Sequence, residues 1–449
     1  MFKKVTKSVL NQTGEARGLV PVHSIFDHER FRPLCLVRRK RKAIFHPSPS
    51  YRQTCFKLND VLLPGEDAES TESLFPNGDG QDSTQFTVQA STRDRIDGSL
   101  SLPIISTSVD VKGAASLFKG WSIKLEKDLV PAKALEALRN KRKINMDHSF
   151  IQQLKKTEQN LYVVLETIKA SEETSYEEST EVEGSFMTQF YAKFYAKGIR
   201  ENKQSITIPK DCTLAFRALQ LCITDGSWYL DYFPEVHELL LASDGFSSGK
   251  LRTLEEEVKN SCQILSELSS DLFVVFLKAI KAVMRDRNLF QELSQKMEAV
   301  LDEPDIWELK TDTPDLEDLL ISLHNFSRDH LLQLAEAITY ILDALDELTE
   351  DQLLLLLESL EDKIVSQQLK LVENILEHDI EHRKEHFSVD ASLFSFSQEK
   401  EQELTTAMVE MSGVKLQEDG TAVCTEAATT TVAALYVSLY ILNLLSNSD

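Results

Sequence analysis

Leu241-Ala242-Ser243-Asp244-Gly245-Phe246-Ser247-Ser248-Gly249-Lys250-Leu251-Arg252-Thr253-Leu254-Glu255-Glu256 is the seam from which the architecture reads outward in both directions. Turn-forming residues crowd its first half, because glycine reaches backbone conformations closed to other residues and Asp and Ser hydrogen-bond their own backbone. Thr253 with Glu256 three residues on then has the spacing of a capping box, which opens a helix by satisfying two backbone donors reciprocally. With Asp225-Gly226 upstream, this polar turn chemistry covers residues 223–252, which read as an exposed linker between a unit at 1–222 and one at 253–449.

Upstream of the seam the pattern favours strands. Phe86, Val88 and Ala90 alternate with polar residues, as do Leu100, Leu102 and Ile104, and then Trp121, Ile123 and Leu125. Leu161-Tyr162-Val163-Val164-Leu165 adds an apolar run, and Ser171 to Gly184 reads as an acidic loop. Helices are expected at Phe2 to Leu10 and near Pro131 to Asn140, so the first half is mixed α+β. Downstream, Thr349 with Gln352 forms a second capping-box pattern ahead of the stripe Leu353, Leu357, Leu360 and Ile364, resumed at Leu371 and Ile375. Leu331, Leu334, Ile338, Ile341 and Leu345 make another stripe, after Pro314 at a first helical position. The second half reads as an all-α helical bundle.

Charge divides at the same place. Of the 449 residues, those through Asp244 carry 33 Lys and Arg against 32 Asp and Glu, while the rest carry 16 against 40, so the net charge of -23 lies in the second half. Within Met1 to Lys57 the count is 13 basic to 3 acidic. The core of that block is Arg38-Arg39-Lys40-Arg41-Lys42, joined by Lys3, Lys4, Lys7 and Arg52. A helix would place Lys3 and Lys7 on one face. Near an anionic bilayer each such residue is worth about 1 kcal/mol, so the block has the chemistry of a lipid-headgroup contact, with a solvated or import-signal patch as the other reading. No aromatic-interleaved motif accompanies it, and nucleic acid is not expected as a partner.

Other motifs point away from catalysis. Gly245-Phe246-Ser247-Ser248-Gly249-Lys250 is one residue short of a phosphate loop, and Leu251 replaces its Ser/Thr. His378 and His382 share a helical face but read as a solvated helix end. No nucleophile elbow or thiol–histidine signature is present, and neither a metal nor a cofactor is expected. Val432 to Leu445 is nearly apolar and long enough to raise a membrane anchor, but Ser438 and Asn443 interrupt it and a buried core helix fits better. The six scattered cysteines and the absence of a leader suggest free thiols and a cytosolic location. Leu241-Ala242-Ser243-Asp244-Gly245 admits two readings, a turn or the recognition segment of an Asp-specific cysteine protease, with Asp225 the next candidate for cleavage.

Several segments together resemble the gasdermin family, with its A branch nearest and its D branch next. They are Met1-Phe2-Lys3-Lys4-Val5-Thr6, the run from Phe31 to Lys42, Asp60-Val61-Leu62-Leu63-Pro64-Gly65, Asn160 to Val164, Thr207-Ile208-Pro209 with Leu214 to Arg217, Arg252 to Val258, Gln368 to Glu373 and Ala434-Leu435-Tyr436. The resemblance implies a pore-forming N-terminal α+β domain with a twisted antiparallel sheet and a helical inhibitory domain behind it. Cutting the linker after Asp244, before Gly245, would free the first domain to bind acidic phospholipid through Lys3, Lys4, Lys7, Arg38, Arg39, Lys40, Arg41, Lys42 and Arg52. It would then assemble into a homo-oligomer and insert hairpins near Gln81 to Lys127 and Asn160 to Lys203 as a β-barrel pore, with lytic, pyroptotic cell death. A caspase-class protease is the implied partner; the intact chain is expected to be a cytoplasmic monomer and the cut one to reach the plasma membrane. Ile44 and Phe45 stand where relatives carry an aromatic wedge against the inhibitory domain. Tyr191 replaces a cysteine that is lipidated in a relative, so lipidation is not expected there. Without the resemblance, the residues fit a regulatory scaffold with a basic interaction patch.

Overall fold

The computed structural model describes residues 2, 5–6, 9–10, 18–40, 43–45, 49–64, 84–90, 115–118, 121–157, 160–181, 190, 193, 203–232, 248–302, 309–378, 387–417, 421–424 and 428–446. In the first half the strands are β1 (Val20–Pro21), β2 (Cys35–Arg39), β3 (Tyr51–Lys57), β4 (Thr84–Ala90), β5 (Ala115–Phe118), β6 (Trp121–Leu129), β7 (Leu161–Ala170), β8 (Thr174–Glu181), β9 (Lys203–Ile208), β10 (Thr213–Thr224) and β11 (Ser227–Asp231). Among the described residues, eight of them form one antiparallel sheet with the path β1-β10-β7-β2-β3, with β11 on β10 and the β4–β6 pair on the far end of β7. β5, β8 and β9 form a separate three-stranded sheet.

β7 shows why this sheet is central. Tyr162, Val164 and Ile168 enter one apolar cluster and Leu161, Val163 and Leu165 another, so its apolar run is buried on both faces. Phe2, Val5, Val9 and Leu10, all helical, cover the first face. Helices α1 (Ala132–Lys141) and α2 (Ser149–Thr157) cover the second through Leu135, Leu138, Ile151 and Leu154.

The second half contains α3 (Ser248–Ser261), α4 (Ser270–Arg285), α5 (Arg287–Asp302), α6 (Pro314–His324), α7 (Arg328–Glu347), α8 (Glu350–Glu361), α9 (Val365–Glu377), α10 (Glu399–Met411) and α11 (Ala428–Ser446). Pro314 is the first residue of α6. Thr349 caps α8 as its pattern predicts: Gln352 N–H donates to Thr349 Oγ1 at 3.2 Å, and Thr349 N–H to Gln352 Oε1 at 3.0 Å. All five residues of the Leu331 to Leu345 stripe are buried. α11 is long and apolar enough to cross a membrane, yet it packs against α9, α7 and α4, with Leu435, Val437 and Leu439 wholly buried.

Four expectations change. The supposed acidic loop from Ser171 to Gly184 contains β8, because β9 supplies its backbone partners from Thr174↔Ile208 to Ser179↔Lys203; pairing overrides weak strand propensity. The supposed linker is ordered at both ends. Asp225 and Gly226, at φ 49° and 81°, form the tight turn of the β10–β11 hairpin. α3 begins at Ser248, so Thr253 lies inside the helix; Leu251, Leu254 and Val258 form its buried stripe and draw the start upstream. The helical half also carries a small sheet, in which β12 (Phe387–Ser388) and β13 (Val414–Leu416) flank β14 (Thr421–Cys424). The expected strand at Leu100 to Ile104 lies outside the described residues.

Candidate functional site

The sheet half and the helical half meet along a seam that begins at the basic strand. β2 and β3 pair so that Arg38 stands opposite Arg52, and Lys40 N–H donates to Ser50 O at 2.9 Å just beyond. Like charges placed directly across a ladder repel. Relief comes from the other half: Glu298 on α5 and Asp343 on α7 lie 2.7 Å and 3.6 Å from Lys40 Nζ. Burial alone would lower the Lys40 pKa, but Asp343 and Glu298 outweigh it and hold the ammonium charged above the ordinary lysine value. Burial likewise works against the Glu298 carboxylate, which Lys40, Arg52 and Arg38 nevertheless hold below the usual glutamate range.

Past the basic run the chain turns apolar and enters the other half. Ala43 and Phe45 are both buried in the helical half's own apolar cluster. Phe45 has no exposed surface and meets the Tyr340 ring edge-on at 5.3 Å. Ile44 N–H donates to Glu257 Oε1 at 3.2 Å, and Tyr340 Oη donates to the same oxygen at 3.0 Å, so one carboxylate of α3 fixes both the inserted backbone and the ring it packs on. Burial, and then the Glu257 charge, raise the Tyr340 pKa and keep that hydroxyl a donor.

A second contact lies further along. Phe190 is buried in the same helical-half cluster, and Lys193 donates to Glu358 and, at 3.0 Å, to Glu361 Oε2. At the other end of the seam, Gln291 Nε2 donates to Ser24 Oγ at 3.1 Å, and His23 Nδ1 lies 3.4 Å from Asp346 Oδ2, which α5 also holds through Arg287. Between this end and the Lys40 contact is a cavity of about 130 Å³ of mixed lining, with His23, Asp27, Lys40 and Glu298 facing it beside Val22 and Phe290. It is roomy enough for several waters.

Of the basic residues singled out in the sequence, Arg38, Arg39 and Arg52 are thus gathered on adjoining strands, with Lys40 directly after β2. Arg38 is buried and Lys40 is 16% exposed, so these two are not open surface in the intact chain. Ile44 and Phe45 do enter the helical half. Lys3, Lys4, Lys7, Arg41, Lys42, Asp244 and Gly245 lie outside the described residues. Sequence reasoning missed Phe190, Lys193, Glu257, Glu298, Asp343 and Glu358. The acidity of the second half was the signal for the carboxylates, but nothing local distinguishes these from their neighbours.

Residues 1–238 match the gasdermin pore forming domain, and residues 250–423 match the gasdermin PUB domain. The chain belongs to the gasdermin family. Gasdermin-A of Mus musculus is 32% identical over 470 residues, covering all of both chains. Gasdermin-D of Homo sapiens is 26% identical across 99% of this chain and 98% of its own. The cryo-EM structure of the gasdermin A3 membrane pore covers 52% of this chain and 95% of that one at 25% identity, with a TM-score of 0.35. As a gasdermin, the chain carries a pore-forming domain on its sheet half, and the seam joins that domain to the helical half.

Proposed function

We propose that this gasdermin is a non-enzymatic pore former held inactive by its helical half and released by cleavage near Asp244. The observation that carries the reading is the placement of Lys40 and Phe45: a cation of the basic block is clamped between Glu298 and Asp343, and an aromatic five residues on is sunk into the helical core. A basic surface engaged this way cannot meet headgroups at the same time. Cleavage removes the tether that keeps the halves at high effective concentration, so a contact adequate within one chain is lost between two. The freed half then binds acidic phospholipid through Lys3, Lys4, Lys7, Arg38, Arg39, Lys40, Arg41, Lys42 and Arg52. Because spanning sheet must close on itself to satisfy its backbone, assembly into a homo-oligomeric barrel accompanies insertion at the plasma membrane and ends in pyroptotic lysis.

Asp244 is the proposed cleavage residue, read by a caspase-class protease. Asp225 is a poor second, since it occupies the turn of a paired hairpin and proteases need extended backbone. Treatment of the full chain with an inflammatory caspase is expected to empty anionic vesicles, and Asp244→Ala is expected to abolish both leakage and the two fragments. Fragments of unchanged size from Asp244→Ala would reject the site. Intact vesicles after complete cleavage of the native chain would reject the function.

A further inference from the structure

Glu358 on α8 is 1% exposed and receives a cation from each side of the seam. Lys193 of the sheet half reaches its Oε2, and Lys400 of α10 donates to its Oε1 at 2.6 Å. Each lysine also has a further acidic contact: Lys193 with Glu361 at 3.0 Å, and Lys400 with Asp362 at 2.8 Å. When the halves part, Lys193 leaves and Lys400 stays. We infer that Lys400 is a positioning residue for release of the pore-forming half, competing with Lys193 for Glu358 and holding that carboxylate once Lys193 has gone.

The physical case is one of compensation. A buried carboxylate stripped of its partner is strongly unfavourable, and that cost would ordinarily be added to the work of separation. Lys400 removes it, because the carboxylate remains paired within the helical half. Two ammonium groups on one carboxylate also repel each other, which weakens the hold on Lys193 in the assembled state. Burial raises the Glu358 pKa, yet the two lysines outweigh it and keep the group ionised, so both remain bound to a charge. The Lys40 contact is built differently. The cations acting on Glu298 there, Lys40, Arg52 and Arg38, all belong to the sheet half and all depart together. The seam therefore contains one ion cluster that separation strips of these cations and another that is compensated in advance.

This inference rests on the reading that the helical half restrains the sheet half, and its test keeps the two apart. The full chain is given an engineered protease site in place of residues 241–245, fluorophores on both halves, and is nicked. Separation on dilution and leakage of phosphatidylserine vesicles are then followed in parallel. Lys400→Met is expected to slow separation roughly three- to tenfold, the scale of a partly exposed charge interaction. Lys400→Arg, which keeps the charge, should separate like the native chain. On a Glu358→Gln background, Lys400→Met should have no effect. Unchanged or faster separation of Lys400→Met overturns the inference when its thermal midpoint is native. If the midpoint falls, the Glu358→Gln cycle decides, and an equal Lys400→Met effect on both backgrounds overturns it. Native halves that separate while vesicles stay intact would defeat the pore reading and leave the Lys400 measurement standing.

Discussion

Phe45 and Lys40 engage the helical half by different physics. Phe45 is held by apolar burial, so Phe45→Ala should cost on the order of 3–5 kcal/mol of packing, and much of that falls on the contact between halves. The expected outcome is a nicked complex that separates at least about tenfold faster than native, read by fluorescence on dilution. Ile44 and Phe45 could be named in advance only through family resemblance, because an isolated Ile-Phe after a basic run has no periodicity to give it a direction. Their partners Glu257 and Tyr340 are far away in the chain and carry no local mark. Glu410 supplies a residue-scale prediction of another kind. Burial raises its pKa to about 7, only partly opposed by Lys415 and the Leu416 backbone. A carboxyl whose folded pKa exceeds its unfolded value binds more protons when folded. Its favourable contribution is present below the ordinary glutamate range and is lost as pH rises toward 7. Glu410→Gln should therefore flatten the fall in thermal midpoint between about pH 4.5 and 7, checked by calorimetry across that range.

At the scale of elements, legibility followed how locally each structure is stabilised. The α8 cap was readable because both of its hydrogen bonds join Thr349 and Gln352, three residues apart. Thr349→Ala should cost about 1 kcal/mol and lower the midpoint of the helical half by a few degrees, measured by circular dichroism, with no change in vesicle leakage after cleavage. The same spacing at Thr253 misled, since the buried stripe that begins at Leu251 continues α3 upstream of the pattern. β8 was illegible for the opposite reason. Its Glu-rich sequence has little strand preference, and pairing with β5 on one side and β9 on the other, including Ser175 Oγ against Thr207 Oγ1 at 3.0 Å, makes it a strand. α11 sits between these cases: its composition admits a membrane span but favours a core helix, and the burial supplied by α9, α7 and α4 agrees with the second.

Across the whole molecule, the proposed function gives charge two competing attachments. The Lys40 contact is largely enclosed, with exposures of 16% and 19% for Lys40 and Glu298, whereas the proposed headgroup contacts would form at an open surface. Salt screens the second more strongly. Raising ionic strength from about 0.05 to 0.5 M should reduce vesicle binding of the released half by a larger factor than it speeds separation of the nicked halves. Flotation and fluorescence measure the two, and an equal dependence would mean that the seam is solvent-screened throughout. The sequence alone determined that there are two halves of different class, which terminus is basic and which half is acidic, because periodicity and composition are local sums over neighbouring residues. Only the tertiary structure decided which carboxylates face Lys40 and Lys193, that Phe190 shares the helical core, and that Lys400 already holds Glu358. These are contacts between residues far apart in the chain, selected by packing and mutual desolvation, and one acidic residue among 40 is indistinguishable from the rest until the fold brings its partner to it.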